Sequence, residues 1–566
     1  MSGIIINPYV YGAGVDEAYS FEYEIDAGLP DVTLFGQNGL VFNYDIDWGD
    51  GTSDSGVVVN DQTHTYLVGP GGSGPVGGLY TVRITGVFPG LEMGRGATAD
   101  RIQIKRFLNW GINPLGGLSK AFYYCTNMTY EATDVPDLSA LVTKGFYYTF
   151  YYCTAITELD LSDWDVSNVE SFQGIFGRCT NLTLLNVNDW DLSSATQLAL
   201  GFEYVGSAGA GCALSADNWA PGVQIHNAFQ YAKFSSISLA NWDMTGITSL
   251  SYTFRACDGQ IVLDLSSWTN TSHITDLTYA FQGGEWTDIN LTGWDTSNTT
   301  SWSLAFYGLY YLENIIGLNG LNGDSLTGTG LATCFRFSYK LTFDTHNFND
   351  TFGSNWSITS LSDTFKHVSI TGPGTAAPNV TNWDVSNVTT FTNCFEQTDI
   401  ISGTLEIEGW DVSLATNFQN LFYKTNAALP TPLDLTSWNF TSAVTNMQTM
   451  FRSTNATDVE FSSSADFSGV TTMSFMFYGI TVTNIDFPTN ADFSSLANGG
   501  NMLYYLSNMG TANYNNFLIR MDATNTATPG TLTMAASTYS ALPHAAATAK
   551  ANLEAAGWTI TDGGPV

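Results

Sequence analysis

The sequence predicts a mainly β fold with short helices: a solenoid of about fourteen coils, with an N-terminal antiparallel β-sandwich and a C-terminal helix-strand cap. Three observations carry this expectation. Tryptophans 164, 190, 219, 242, 268 and 294 recur at intervals of 23 to 29 residues, and Trp383, Trp410 and Trp438 resume at 27 and 28. Out of phase with them run fourteen phenylalanines, Phe122, Phe150, Phe176, Phe202, Phe229, Phe254, Phe281, Phe306, Phe335, Phe365, Phe395, Phe422, Phe451 and Phe477, spaced by 25 to 30. Before many of the tryptophans, apolar residues alternate with polar ones over a few positions. A unit this short cannot bury its own apolar face, so successive units must stack to make a core.

Within one unit, Leu159-Asp160-Leu161 alternates with period two, as do Leu263-Asp264-Leu265, Ile289-Asn290-Leu291 and Leu433-Asp434-Leu435. Period two means a short strand with one buried face. The Asp that follows Trp recurs in phase at 165, 191, 243, 295, 384 and 411. A residue that follows the repeat answers to the recurring turn, where Asp and Ser side chains satisfy backbone donors. After Ser167, the apolar residues Val169, Phe172 and Phe176 fall at i, i+3 and i+7, which predicts a capped helical turn or two. Parallel strands about 4.8 Å apart would make the stack a rod on the order of 70 Å long. Between Phe306 and Phe395 the spacing widens and insertions at 317–330 and 369–379 are expected to emerge as loops.

The ends read differently. Between 40 and 90, strands alternate around an Asp50-Gly51 turn, followed by His64-Thr65-Tyr66 and Leu79-Tyr80-Thr81-Val82. This predicts a small antiparallel sandwich. Ala535 to Ala556 is alanine-rich with Lys550 and Glu554 at i, i+4 and reads as a helix, followed by the strand Trp558–Thr561. The expected division is an attachment segment at 1–14, the sandwich at 15–98, the solenoid at 99–510 and a cap at 511–566.

Composition excludes several functions. Lys and Arg number 17 against 52 Asp and Glu, a net charge of −35, and only 12% of residues are charged. No basic stripe gathers for a nucleic-acid backbone, so no nucleic-acid partner is expected. No run approaches the roughly twenty apolar residues of a membrane span, and no basic-then-apolar leader opens the chain. Neither membrane insertion nor signal-directed export is expected. Six of the seven cysteines hold fixed places beside the ladder Phe: Cys125, Cys153, Cys179 and Cys257 three after it, Cys334 and Cys394 one before. They read as buried thiols, with a disulfide between stacked coils as the alternative. The six histidines form no ligand pattern, so no cofactor, metal or catalytic residue is assigned and no enzyme is expected. Asp45, Asp47, Asp50 and Asp54 leave open a calcium ion near Asp47 and Asp50, against the plainer reading of a hairpin turn. The candidate ligand-binding residues are aromatic ones outside the ladder: Tyr147, Tyr148, Tyr151, Tyr152, Tyr307, Tyr310 and Tyr311. A tyrosine offers a flat apolar face and a polar tip, suited to sugars and to protein interfaces, and equally to stacking between coils.

The motif Trp164-Asp165-Val166-Ser167-Asn168-Val169, repeated at Trp383-Asp384-Val385-Ser386-Asn387-Val388, with Phe176-Gly177-Arg178-Cys179-Thr180-Asn181-Leu182, resembles the BspA-type leucine-rich repeats of bacterial surface proteins and bacterial viruses. The likeness covers residues 101 to about 510. Trp48-Gly49-Asp50-Gly51-Thr52 with His64-Thr65-Tyr66 is similar to the immunoglobulin-like polycystic-kidney-disease (PKD) domain, and both chain ends look like those of virus-encoded members. These resemblances imply a phage virion structural protein, a tail fibre or surface adhesin, on the particle and extracellular after lysis. It would join other virion proteins through its N-terminus and bind a host cell-surface glycan or protein through the solenoid. Class analogy makes a homotrimer the assembly to test. The alternatives are a bacterial cell-surface adhesin, a capsid decoration or head-fibre protein and, least favoured, an envelope depolymerase.

Overall fold

The computed structural model describes residues 19–25, 31–66, 78–220, 222, 224–259, 261–341, 354–370, 380–400, 405–425, 429, 433–456, 458–480, 484–504 and 509–566. The fold is mainly β with few helices and carries a β-solenoid of about 16 turns, two more than the phenylalanine ladder counts. It divides into two compact units, Met1–Gly246 and Ile247–Val566.

The first unit opens with strands β1 (Tyr19–Ile25), β2 (Asp31–Phe35), β3 (Asn43–Asp47), β4 (Ser53–Val57), β5 (Asp61–Thr65) and β6 (Gly78–Val87), all paired antiparallel. The Trp-Gly-Asp-Gly segment is a closed cluster. Trp48 is fully buried and stacks on His64 at 4.7 Å, and the Tyr66 hydroxyl donates to the Trp48 carbonyl at 2.9 Å. A short helix α1 (Thr98–Gln103) leads into β7 (Ile104–Asn109) and β8 (Thr129–Tyr130). One sheet, in the order β4-β3-β6-β1-β7-β8, crosses residue 98 without a break. β1 therefore covers the edge that the first coil would otherwise leave open.

Coils follow through β9 (Glu158–Asp160), β10 (Leu184–Asn186), β11 (Cys212–Ser215) and β12 (Phe234–Ser238), paired parallel with Leu159, Leu185, Leu214 and Ile237 in register. The second unit repeats the arrangement in β13 (Val262–Asp264), β14 (Asp288–Asn290) and β15 (Asn314–Ile316), and in the two-residue strands β16 (Thr327–Gly328), β17 (Ser357–Ile358), β18 (Ser369–Ile370) and β19 (Asp399–Ile400). It continues through β20 (Leu433–Leu435), β21 (Asp458–Phe461), β22 (Phe477–Tyr478), β23 (Asn484–Asp486) and β24 (Gly499–Tyr504), and ends with helix α2 (Thr511–Thr524), β25 (Thr531–Met534), helix α3 (Ala545–Ala555) and β26 (Thr559–Thr561). The expected helix over 535–556 is thus shorter, because residues 535–536 form a turn and Tyr539 bridges to Pro565, beyond the last strand. No helix among the described residues is long and apolar enough to cross a membrane.

Both ladders are interior. All fourteen phenylalanines are fully buried, with neighbouring rings 4.8 to 6.0 Å apart within each unit. Trp190, Trp219 and Trp242 stack in one unit, and Trp268 on Trp294 and Trp410 on Trp438 in the other. Their buried indole N–H groups explain the choice of Trp. Trp190 donates to the Leu161 carbonyl (2.8 Å), Trp294 to Leu265 (2.9 Å), Trp410 to Val380 (3.1 Å) and Trp438 to Ile407 (2.9 Å), in each case three residues before the Trp of the preceding coil. Each of these carbonyls also accepts the backbone N–H of the Trp in its own coil, so the indole supplies a second donor that a leucine cannot. Trp164 packs edge-on against Trp110, and Trp383 against Trp356, a residue 27 positions earlier that continues the tryptophan spacing through the widened region.

The Asp of each Trp-Asp-x-Ser segment accepts from the Ser two residues on, as Asp165 does from both the N–H (3.2 Å) and the hydroxyl (2.6 Å) of Ser167. The expected helical turn is absent. Residues around the ladder Phe form a ribbon of overlapping turns: Tyr151 N–H bonds Tyr148 O and Cys153 N–H bonds Phe150 O, while Tyr148, Phe150 and Tyr152 donate to Gln173, Ile175 and Gly177 of the next coil. Alternating local and inter-coil donors satisfy the backbone as a helix would, and add lateral pairing that a helix cannot give. The recurring Cys is a small donor in this ribbon. Cys153 and Cys179 thiols bond the Phe122 and Phe150 carbonyls at 3.0 Å, and Ser338, Thr398 and Thr425 do the same for Phe306, Phe365 and Phe395. All seven cysteines are free and buried, and burial pushes the Cys179 and Cys212 thiols up to about 12.

Candidate functional site

The ribbon also determines what faces outward. Two and four residues apart from its neighbours, the backbone turns left-handed at the positions two before and two after the ladder Phe: Tyr148 and Tyr152 have φ of 54° and 66°, Arg178 62°, Tyr204 58° and Tyr231 61°. Side chains with a β-carbon rarely accept this conformation, at roughly 1–2 kcal/mol each. Inter-coil bonds and ring stacking offset the cost, because coils in register bring equivalent side chains face to face.

In the first unit this makes a continuous column. Tyr124 stacks on Tyr152 (4.5 Å, 12°), the Arg178 guanidinium lies 5.8 Å from Tyr152 and 4.4 Å from Tyr204, and Tyr204 stacks on Tyr231 (4.8 Å, 20°). Arg101 covers the other end at 5.6 Å from Tyr124. Arg178 is fully engaged: its Nε donates to the Tyr151 hydroxyl (2.9 Å) and approaches the Glu203 carboxylate at 3.7 Å. Burial raises the Glu203 carboxyl, with Arg178 opposing. Tyr148 and Tyr151 meet edge-on at 5.1 Å, and the Tyr148 hydroxyl accepts from Gln173 at 3.2 Å. Tyr147 stands apart at 40% exposure.

In the second unit, Tyr307 meets Phe337 edge-on (5.7 Å), Tyr310 stacks on Tyr339 (5.7 Å), and the Lys340 ammonium lies over Tyr311 (5.6 Å). Phe337 in turn stacks on His367 at 4.9 Å. Burial lowers the His367 pKa, Lys366 and Arg336 adding to this and Glu396 and Asp363 opposing it. A shallow groove of about 330 Å³ is lined by Tyr339, His367, Gln397, Asp399 and Lys424. Further along the ribbon, Arg452 lies between Tyr423 (5.2 Å) and Tyr478 (4.7 Å), beside Phe475 (5.1 Å), and Tyr478 stacks on Tyr504 at 4.9 Å.

The expected tyrosines therefore form two clusters, 148, 151 and 152 in one unit and 307, 310 and 311 in the other. Sequence reasoning missed Tyr123, Tyr124, Arg178, Tyr204 and Tyr231, and in the second unit Phe337, Tyr339, Tyr423, Arg452 and Tyr478. Their signal was the fixed offset of one, two or four from the ladder Phe. The expected loop at 317–330 is part of a coil: Leu318, Leu321 and Leu326 are buried, and Asn322 exchanges two 2.8 Å hydrogen bonds with Thr296. Of the insertion at 369–379, residues 371–379 lie outside the described residues, as does the 1–14 segment.

The acidic group near Asp47 is occupied by its own turn. Asp45 accepts from Gly56 N–H, Asp47 from Gly49 N–H, Asp50 from Thr52 and His64, and Asp54 from Trp48 Nε1 and Gln62. Among the described residues no group of three His, Cys, Asp or Glu is placed to hold a metal ion.

Stacked coils with outward aromatic and cationic columns define a repeat-solenoid protein whose recognisable surface is the ribbon. Residues 95–209, 223–321 and 359–491 match the family described as "Mycoplasma protein of unknown function, DUF285"; these segments cover more than half of the chain, and the chain belongs to that family. Its repeat solenoid is consistent with the BspA-like repeat proteins. No curated protein and no solved structure matches the chain.

Proposed function

We propose that the chain is an adhesin that grips a host-surface glycan or protein along the ribbon side of its coils, displayed on a phage particle as a tail fibre. The observation that supports this reading is where exposed aromatic surface lies. Among the described residues the three exposed tyrosines, Tyr147 (40%), Tyr310 (52%) and Tyr339 (41%), all belong to the ribbon arm, and Tyr310 and Tyr339 hold each other by stacking. A rigid aromatic face loses little entropy on binding, and a repeat offers many weak sites whose joint engagement gives avidity.

The ends fit this reading as spacer and closure. The Trp48-His64-Tyr66 cluster supports a PKD-like, immunoglobulin-like domain before the solenoid, and α2 and α3, packed on each other beside the last strands, support a cap. A cell-surface adhesin of a bacterium is the second reading, favoured by the family's description as a Mycoplasma protein. Antibody to the solenoid distinguishes them. Label on distal fibres with blocked adsorption is the expected result; label on cells alone selects the second reading, and label on the capsid without an effect on adsorption selects decoration. Cleavage of envelope glycans by the purified protein would overturn the adhesive reading.

A further inference from the structure

The charges of the second unit are sorted by side. Between residues 247 and 504, all six Lys and Arg lie from two before to five after a ladder Phe: Arg255, Arg336, Lys340, Lys366, Lys424 and Arg452. That stretch of each coil carries five carboxylates, whereas the rest of the same coils carries eighteen and no cation at all. On the strand side, Asp434, Glu460 and Asp486 sit in register on β20, β21 and β23, one above another. Carboxylates at the strand spacing of about 4.8 Å repel each other and any anion that approaches.

Lys366 and Arg336 are matched by carboxylates, whereas Lys340 lies over the Tyr311 ring. Lys366 bridges Asp363 (3.5 Å) and Glu396 (3.0 Å), and Arg336 reaches Asp363 at 3.6 Å. Lys424 and Arg452 differ. They sit on adjacent coils joined by the Lys424 N–H to Arg452 O bond (2.8 Å), and both lie over the Tyr423 ring, at 5.3 and 5.2 Å. Neither has a carboxylate partner among the described residues. Lys424 is exposed and lines the groove with Tyr339 and His367. The Nε of Arg452 is buried without a hydrogen-bond acceptor. A guanidinium held by three rings, partly desolvated and lacking an anion, has charge to offer a ligand and little geometry to reorganise.

We infer that Lys424, Arg452 and the flanking Tyr423 and Tyr478 form a subsite for an acidic glycan, its anionic groups on the two cations and a sugar face against the exposed Tyr339 of the same groove. This rests on the adhesive reading and names the class of its ligand. The net charge of −35 opposes a polyanion at long range, but screening at physiological ionic strength confines that repulsion to about 8 Å, and at the groove Lys424, with Arg452 on the adjacent coil, is set against one lining carboxylate, Asp399.

The test is binding of the full chain at about 0.15 M salt to polygalacturonate, a polyribitol phosphate, neutral dextran and poly-glutamate. Binding to either acidic glycan, with dextran and poly-glutamate at least tenfold weaker, is the expected result. Lys424→Gln and Arg452→Gln should each weaken it about tenfold, the loss of one charge-assisted contact. Glu460→Gln on the strand side should leave it unchanged. The exposed Lys424 variant keeps the test valid should Arg452→Gln fold poorly. Equal binding to poly-glutamate or dextran, or equal binding by both ribbon variants, overturns the inference. If no acidic glycan binds while antibody to the solenoid still blocks adsorption, this inference fails and the adhesive reading stands.

Discussion

The guanidinium of Arg178 in the first unit and that of Arg452 in the second occupy neighbouring offsets of the same ribbon, and each lies between tyrosines of the adjoining coils. Arg178 gives its Nε to Tyr151 and meets Glu203; Arg452 has three rings around it and an Nε without an acceptor. One column is electrostatically closed and the other open. A repeat that holds the backbone constant can thus assign one position to cohesion in one coil and leave it available for a partner in another. The difference comes from two or three side chains in the adjoining coils.

The largest expected effect tests whether the two columns share an equivalent interior. Phe176→Ala lies behind the closed column and Phe451→Ala behind the open one, both fully buried between the ladder rings of the adjoining coils. Each should lower the unfolding free energy by about 3–5 kcal/mol, transfer and cavity costs together. Denaturant melts measure it. If Phe176→Ala costs far less than Phe451→Ala, the interiors are not equivalent and the columns cannot be compared as surface variations.

A smaller effect addresses the columns themselves. Arg178→Ala leaves the mostly buried Glu203 carboxylate without its cation and the Tyr151 hydroxyl without its donor, a loss of about 1–2 kcal/mol after allowing for solvent screening at a partly exposed pair. Arg452→Ala loses ring contacts worth about 0.5–1 kcal/mol but also removes an unpaired buried N–H, and should change stability by less than about 0.5 kcal/mol. Equal costs at the two sites would erase the distinction between closed and open columns.

Much of this architecture was legible in the chain because the repeat forces it. Period-two segments such as Leu159-Asp160-Leu161 became strands, and the Trp and Phe spacings became stacked interior ladders. Val169, Phe172 and Phe176 misled, since a ribbon of turns with left-handed residues also buries positions at intervals of four, and which turns pair across coils is not written in one unit. Helix α2 was missed although Tyr514, Phe517, Leu518 and Met521 fall at i, i+3, i+4 and i+7; its Asn- and Thr-rich polar face hid a valid helical pattern. The candidate tyrosines 147, 148, 151, 152, 307, 310 and 311 were found as doublets or close neighbours in sequence, whereas Tyr204, Tyr339 and Tyr478 are single residues whose neighbours exist only after stacking. The pairing of Arg178 and the lack of pairing at Arg452 likewise depend on the next coil.

The smallest effect separates the units by pH. His367 stacks on Phe337 at the edge of the groove, and its pKa is lowered in the fold, chiefly by burial. A folded pKa below the unfolded value of about 6.5 means that the unfolded chain takes up the proton first, so stability is full at pH 7.5 and declines as pH falls below that value. No histidine stands in the closed column of Arg101, Tyr124, Tyr152, Arg178, Tyr204 and Tyr231. Turn carboxylates behave alike in both units: hydrogen bonds from Ser193 and Thr436 lower Asp191 and Asp434, so their contribution is present above the unfolded carboxylate range and is lost as pH falls through the folded values. Melts at pH 7.5, 5.5 and 3 should show a small step between the first two that His367→Gln removes, and a larger loss by pH 3 that it does not. A step at pH 5.5 that survives in His367→Gln would place the titrating group elsewhere and leave the open column without a pH-dependent member.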